Sequence, residues 1–260
     1  MKIMVCLKQV PHQDARLDIN SEGNWIKDDG IKFEINSYDL YALEEALRIK
    51  DAGEADVFAV SIGPERTTQA LRTALGMGAD RAIHVKDPEA EGSDSLGIAR
   101  ILAAVAAQES PDLILTGFMS DDGNFSAVGP MLAELLDLPH TTAALKVARS
   151  NGTTTVDREM EGGAHEVVAL TGPCVVAVQT GLNQVRYASL KGIMAAKKKP
   201  LDVKTVAELG LSGRVGGAAA KVKIQSLALP PKGKGAEMLK GSANEIAAGL
   251  VSKIKELGLL

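Results

Sequence analysis

Asp112-Leu-Ile-Leu-Thr-Gly117-Phe-Met-Ser-Asp-Asp-Gly-Asn-Phe-Ser-Ala-Val-Gly-Pro-Met131 is the stretch that decides the fold of this chain. Leu113, Ile114 and Leu115 make a short apolar run, the pattern of a strand buried on both faces. Gly117 ends it. Residues 118–128, rich in Ser, Asp, Asn and Gly, follow, and then Met131, Leu132, Leu135 and Leu136 recur at helical spacing. A strand, a small polar loop and a helix leave backbone N–H groups aimed past the strand's carboxyl end, which suits an anion, usually a phosphate. The same composition also serves an ordinary βα connection. Neither a Walker lysine nor a dinucleotide glycine fingerprint is present to choose between the two.

Upstream, the same strand–helix rhythm repeats. Residues 3–7 read as the first strand, broken by Pro11, and residues 13–32 as a polar hairpin with turns at Glu22-Gly23 and Asp29-Gly30. Asn36 or Ser37 caps a helix whose Leu40, Ala42, Leu43, Ala46 and Leu47 point inward, with Glu44, Glu45, Arg48 and Lys50 toward water. A strand at 57–62 leads through Gly63-Pro64-Glu65 into a helix carrying Leu71, Ala74 and Leu75. A third strand at 82–85 precedes a helix opened by Ser93 or Asp94. Successive units of this length predict an α/β fold with a doubly wound, mostly parallel sheet.

Downstream the pattern changes. Strands are expected at 142–147, 153–158, 166–170 and 174–179, with short turns at Asn151-Gly152 and Gly162-Gly163, as an antiparallel or mixed edge. Residues 186–199 read as helical with a basic end. Residues 201–241, rich in Gly, Pro and Lys, read as a weakly structured arm, and 244–257 as an amphipathic helix with Ile246, Leu250, Ile254 and Leu257 on one side. The division is therefore 1–200 for the α/β nucleotide-binding domain and 201–260 for a C-terminal arm and helix that pack on a partner subunit or on the main body.

Hydrophobic residues make up 45% of the 260 and aromatics only 3%, so the core is aliphatic, as parallel sheets under Ala-rich helices are. A net charge of -4 gives nucleic acid no footing. Cys6 and Cys174 lie in apolar runs, as buried thiols rather than a disulfide. No apolar run approaches the roughly 18 residues of a membrane span, and the first strand is too short for a signal peptide, so a cytoplasmic protein is expected. His12, His84, His140 and His165 lack metal-ligand spacing and read as surface or capping residues, and Asp121-Asp122 as solvated loop acids. The loops at 6–10, 36–39, 62–64 and 118–128 would converge beyond the strand ends, where such sheets bind ligands. Residue chemistry alone stops at a nucleotide-like anion.

One further stretch carries a resemblance. Val156-Asp-Arg158-Glu-Met-Glu161-Gly162-Gly163-Ala-His-Glu166-Val-Val168-Ala-Leu-Thr-Gly-Pro173-Cys-Val175-Val176-Ala177 resembles the signature of the electron transfer flavoprotein β subunit: a base, acids and glycines at a turn, then an acid, an aliphatic, a proline and paired aliphatics. Residues 5–11, 36–46, 74–80 and 186–194 are similar to further blocks of that family, so the resemblance spans essentially the full length.

The family implies an adenine-nucleotide α-hydrolase-like fold in a heterodimer with an α subunit that holds most of the FAD. It also implies a structural AMP in this subunit. By position, the cofactor contacts would be Cys6, Asn36, Ser37, Tyr38, Asp39, Ile62, Gly63, Met119, Ser120, Asp121, Asp122, Gly123, Asn124, Phe125, Ser126, Ala127 and Val128. Tyr38 would lie near the flavin ring. Arg186, Tyr187, Leu190, Ile193, Met194 and Lys197 would dock flavin dehydrogenases, with Leu190 as the apolar plug, and Glu159 would steady the flavin domain of the α subunit. No catalytic residue and no metal site are expected.

Phe118-Met119 stand where many members have Lys-Gln, residues 123–127 replace a Gly-Asp-Thr-Gly-Gln run, and Ser37 replaces a common Pro. Phe125 would narrow the crevice in favour of AMP. A subfamily that bifurcates electrons and oxidises NADH places a second FAD there instead. A stand-alone adenine-nucleotide-binding module is the other reading.

Overall fold

The computed structural model describes residues 1–260 apart from Glu54, Lys232 and Lys234. Among the described residues, nine strands form one sheet: β1 (Lys2–Cys6), β4 (Asp56–Ile62), β5 (Arg81–Val85), β6 (Leu113–Gly117), β7 (His140–Ser150), β8 (Thr153–Glu159), β9 (His165–Thr171), β10 (Cys174–Val178) and β11 (Leu201–Lys204). Their order is β11-β5-β4-β1-β6-β10-β7-β8-β9. Every pairing from β11 to β7 is parallel, and β7-β8-β9 is antiparallel. Two short strands, β2 (Gln9–Pro11) and β3 (Phe33–Ile35), pair separately.

Alternation along the strands builds two cores. Ile3, Val5, Val57 and Ala59 face α1 (Ser37–Ala52) and α2 (Thr67–Met77), where Leu43, Leu47, Leu71 and Leu75 are fully buried. Met4, Phe58, Val60 and Ile83 face α3 (Ser95–Glu109) and α4 (Val128–Leu136) through Ile101, Leu102, Val105 and Leu132. Strands with apolar side chains on both faces need helices on both sides, which is the doubly wound arrangement expected.

The structure corrects several local expectations. The strand at Cys174 is not part of the outer edge: β10 returns inside the sheet between β6 and β7. Turn signals mark where a strand begins but not which neighbour it pairs with. Residues 201–215 are not weakly structured. β11 extends the sheet beside β5, and Val206, Leu209, Leu211 and Val215 are buried in the second core. Glycine content hid four well-spaced apolar residues. Glu44 and Glu45 do not face water: both are buried, drawn inward by Arg186 and Asn183 from far along the chain. The helix expected from 186 begins only at α5 (Leu190–Ala196), because Ser189 caps it by accepting a bond from Gly192 N at 3.0 Å. No helix among the described residues is long and apolar enough to cross a membrane.

Residues Met1–Asp18 and Lys27–Gln225 form one compact unit, and Ile19–Ile26 with Ser226–Leu260 a second, smaller one. In the second, Ile19 and Ile26 pair across a turn, and Leu227 N donates to Gly23 O at 2.8 Å. Its helix α6 (Ala243–Glu256) starts with a reciprocal Ser242–Glu245 capping box and leaves Leu250 and Val251 exposed.

Candidate nucleotide site

β1 is flanked by β4 on one side and β6 on the other, so the sheet's winding reverses between β1 and β6. Asp39, in the first turn of α1, fills this point. Its buried carboxylate accepts Lys8 N at 2.7 Å and Gly117 N at 3.0 Å, tying the carboxyl ends of the two strands together. Burial raises its pKa to about 7, outweighing these two bonds, the Asn36 side chain and the Lys8 charge, all of which pull it down. Gly117 is required here. A Cβ would strike Asp39 Oδ1 and stand 2.6 Å from Tyr38 Cβ. Beside it, burial and the Asp39 charge push the Cys6 thiol far up, so Cys6 acts as apolar packing and not as a nucleophile.

Loop 118–128 is laced to the start of α1. Asn36 Nδ2 donates to Met119 O at 2.9 Å, and its Oδ1 accepts Asp121 N at 2.9 Å. Asn36 occupies the N-cap position without capping its own helix; Asp121 does so instead, accepting Ser37 N at 2.9 Å and Ser37 Oγ–H at 2.8 Å. Lys8 Nζ pairs with Asp122 at 2.6 Å and reaches Ser120 Oγ at 3.3 Å, while Ser120 Oγ accepts Gly123 N at 3.3 Å. Asp121 and Asp122 are exposed, as expected of loop acids, and their carboxylates also tie the loop to α1 and Lys8. Asn124 and Ser126 adopt left-handed backbone, with φ of 54° and 51°. Phe125 between them is 63% exposed and does not pack into the fold.

The far end of the loop is open. Ala127, the N-cap of α4, offers no side-chain acceptor, and Pro130 has no N–H, so the amides of Val128 and Gly129 have no acceptor among the described residues. Directly beneath lies Thr116 on β6, only 4% exposed, whose Oγ1 is buried without a hydrogen-bond partner. A Cβ on Gly129 would stand 3.1 Å from that oxygen, so glycine brings the helix start down onto it. A helix N-terminus whose first amides lack an acceptor is the kind of position that holds a phosphate oxygen, and the Thr116 hydroxyl is buried just beneath it.

On the other flank of β1, Ile62 and Gly63 end β4. Gly63 has φ 155°, and a Cβ would collide with the Thr67 side chain. His84, expected as a surface or capping residue, is fully buried on β5. Its Nε2–H donates to Gly63 O at 2.9 Å and its Nδ1 accepts from Thr68 Oγ1 at 3.3 Å, with burial lowering its pKa so that the ring is neutral. Tyr38 is half-buried, and burial, then the charges of Asp121 and Glu159, raise its pKa. Glu159 itself accepts Gln179 Nε2 at 3.0 Å.

Hydrogen bonds thus join Asn36, Ser37, Asp39, Met119, Ser120, Asp121 and Gly123 into one assembly. Sequence reasoning included Lys8 only as part of loop 6–10 and passed over Thr116 and Gly117 as site residues. Their signal was position alone, as each sits at or just past the carboxyl end of a strand. No group of three or more potential metal ligands occurs among the described residues. In the segment expected to dock a partner, Tyr187 and Leu190 are 97% and 84% exposed, Ile193, Met194 and Lys197 are exposed too, and Arg186 is turned back onto α1.

Comparison with known proteins agrees with this geometry. Residues 24–209 match the model of the electron transfer flavoprotein domain. The chain is 36% identical to the electron transfer flavoprotein subunit beta of Methylophilus methylotrophus, over 98% of each chain. It is 38% identical to that of Bradyrhizobium diazoefficiens over 100% of each, and 36% identical to that of Homo sapiens over 99% of this chain and 98% of the human one. Together with the strand-end crevice, these relationships place the chain: it belongs to the electron transfer flavoprotein β-subunit family.

Proposed function

We propose that this chain is the β half of a cytoplasmic heterodimeric electron carrier, paired with an α subunit holding most of an FAD, and that its crevice holds a structural AMP. The observation that carries the AMP assignment is the unpartnered Thr116 Oγ1 beneath the uncapped start of α4. The other anion positions nearby are taken: Asp121 caps α1, and Asp122 neutralises Lys8. One open position suits one phosphate. A second FAD in the crevice, bringing two phosphates, is the bifurcating alternative.

Bound FAD would supply the one- and two-electron chemistry; this chain supplies a wall and a docking surface. Tyr38, half-buried at the crevice lip near the Glu159 charge, suits the flavin side, and Glu159 is exposed to steady a mobile domain. Leu190 and Tyr187 suit a flavin dehydrogenase. The exposed apolar residues of α6 suit a face of the α subunit. Purification with the α subunit followed by denaturation tests the assignment, with one FAD and one AMP released per heterodimer expected. Two FAD and no AMP would move it to the bifurcating class, and a colourless homodimer holding ATP would overturn it in favour of a stand-alone nucleotide-binding module.

A further inference from the structure

The segment 186–199 combines an exposed apolar outer surface with an unusually constrained backbone. Arg186 lies back along α1. Its backbone N–H and Nε donate to Glu44 Oε2 at 3.1 and 2.8 Å, and its Nη2 donates to Glu44 Oε1 at 3.0 Å and to Asp51 Oδ2 at 2.8 Å. A guanidinium fork on a carboxylate admits one orientation. Just upstream, Asn183 Nδ2 donates to Tyr41 O at 3.1 Å and to Glu45 Oε2 at 3.0 Å.

The far end is held from α2. Arg72 donates to Ala196 O at 2.6 Å and to Lys199 O at 3.1 Å, and Lys199 Nζ donates to Leu75 O at 3.0 Å and Ala79 O at 2.6 Å. Between these ties, Gly192 lies so close to Gly76 O that any side chain there would collide.

Glu44 is only 4% exposed, and a carboxylate in that position costs stability unless paired. An apolar residue would fill the same face of α1 without that cost. What the pair adds is orientation. We propose that Glu44 is a positioning residue for electron entry: by gripping Arg186 it presents Tyr187, Leu190 and Met194 as a preformed knob, so that a dehydrogenase docks without having to order the segment first. Arg186 then acts from behind the docking surface and does not touch the partner. The inference rests on the docking role assigned to this segment above.

The test uses the full heterodimer. In Glu44→Gln, which keeps side-chain volume, amide hydrogen exchange across 187–193 rises at least about tenfold. The KM for a reduced flavin dehydrogenase from the same cells rises severalfold, while kcat and FAD content are unchanged. Asp51→Asn, on the solvent side, gives a smaller change of the same sign should Glu44→Gln fold poorly. Leu190→Ala raises KM and leaves exchange as it was. Unchanged KM in Leu190→Ala overturns the docking role itself. Raised KM there, with exchange and KM unchanged in Glu44→Gln and Asp51→Asn, overturns the positioning role alone.

Discussion

Loop 118–128 and segment 186–199, the second carrying the short helix α5, both follow strands of the same sheet, but they are held differently. The first is laced down along its near half, through Met119, Asp121 and Asp122, and ends in helix amides without an acceptor among the described residues. The second is clamped at both ends and bare in the middle. Unmet hydrogen-bonding groups suit a small polar ligand, and bare apolar side chains suit a protein. It is this difference in the distribution of ties, more than composition, on which the two proposed roles rest.

The sharpest way to break the contrast is at the root of the first loop. Gly117→Ala forces Asp39 and Tyr38 apart and is expected to lower stability by about 3 kcal/mol in urea unfolding. A wild-type midpoint would show that the strand ends yield freely and that the lacing is slack. Asp39→Asn comes next. An amide cannot accept from both Lys8 N and Gly117 N as the carboxylate does, and about 2 kcal/mol is expected to be lost near neutral pH.

The same residue makes a pH prediction. Its folded pKa of about 7 lies above the ordinary 3.8, so the native state holds the proton more tightly. The Asp39 contribution to stability therefore improves as pH falls from 7 toward 4 and is least favourable above 7. That slope should vanish in Asp39→Asn, and an identical pH dependence in the two proteins would discount the buried carboxyl.

Thr116→Val separates ligand from fold. Removing an unpartnered buried hydroxyl should raise the stability of nucleotide-free protein by about 1 kcal/mol, while AMP retention through gel filtration weakens about tenfold. Unchanged retention would withdraw the hydroxyl from the phosphate site. Leu190→Ala has the smallest effect on folding, within about 0.5 kcal/mol for so exposed a side chain, so a large loss of stability there would mean the knob is packed and not presented.

Much of this was legible in the residues themselves. Apolar runs such as Leu113 to Leu115 have few interpretations, and the strand–helix rhythm follows from them. The loop's place and the helix after it were readable for the same reason. Glu44 was not, because a helical wheel places a glutamate by its own helix and cannot see Arg186 arriving 142 positions later. The tie made by Asp121 was hidden likewise: its partner, Ser37, is 84 positions away. Asn36 had the right residue type for a cap and spends its amide on a different loop. Local pattern determines which segments form elements; the polar ties that build a site are between segments, and short-range spacing does not encode them.

Helix α1 takes part in both regions. Its first turn carries Asp39 and receives Asp121, and two turns later Glu44 holds Arg186. At about 1.5 Å of rise per residue, Ser37 and Glu44 are only about 10 Å apart along a single rod. A rod that short does not bend between its two loads. A ligand that tilted the first turn of α1 would therefore also re-aim the segment that Glu44 holds through Arg186, so the two regions are mechanically coupled through one helix.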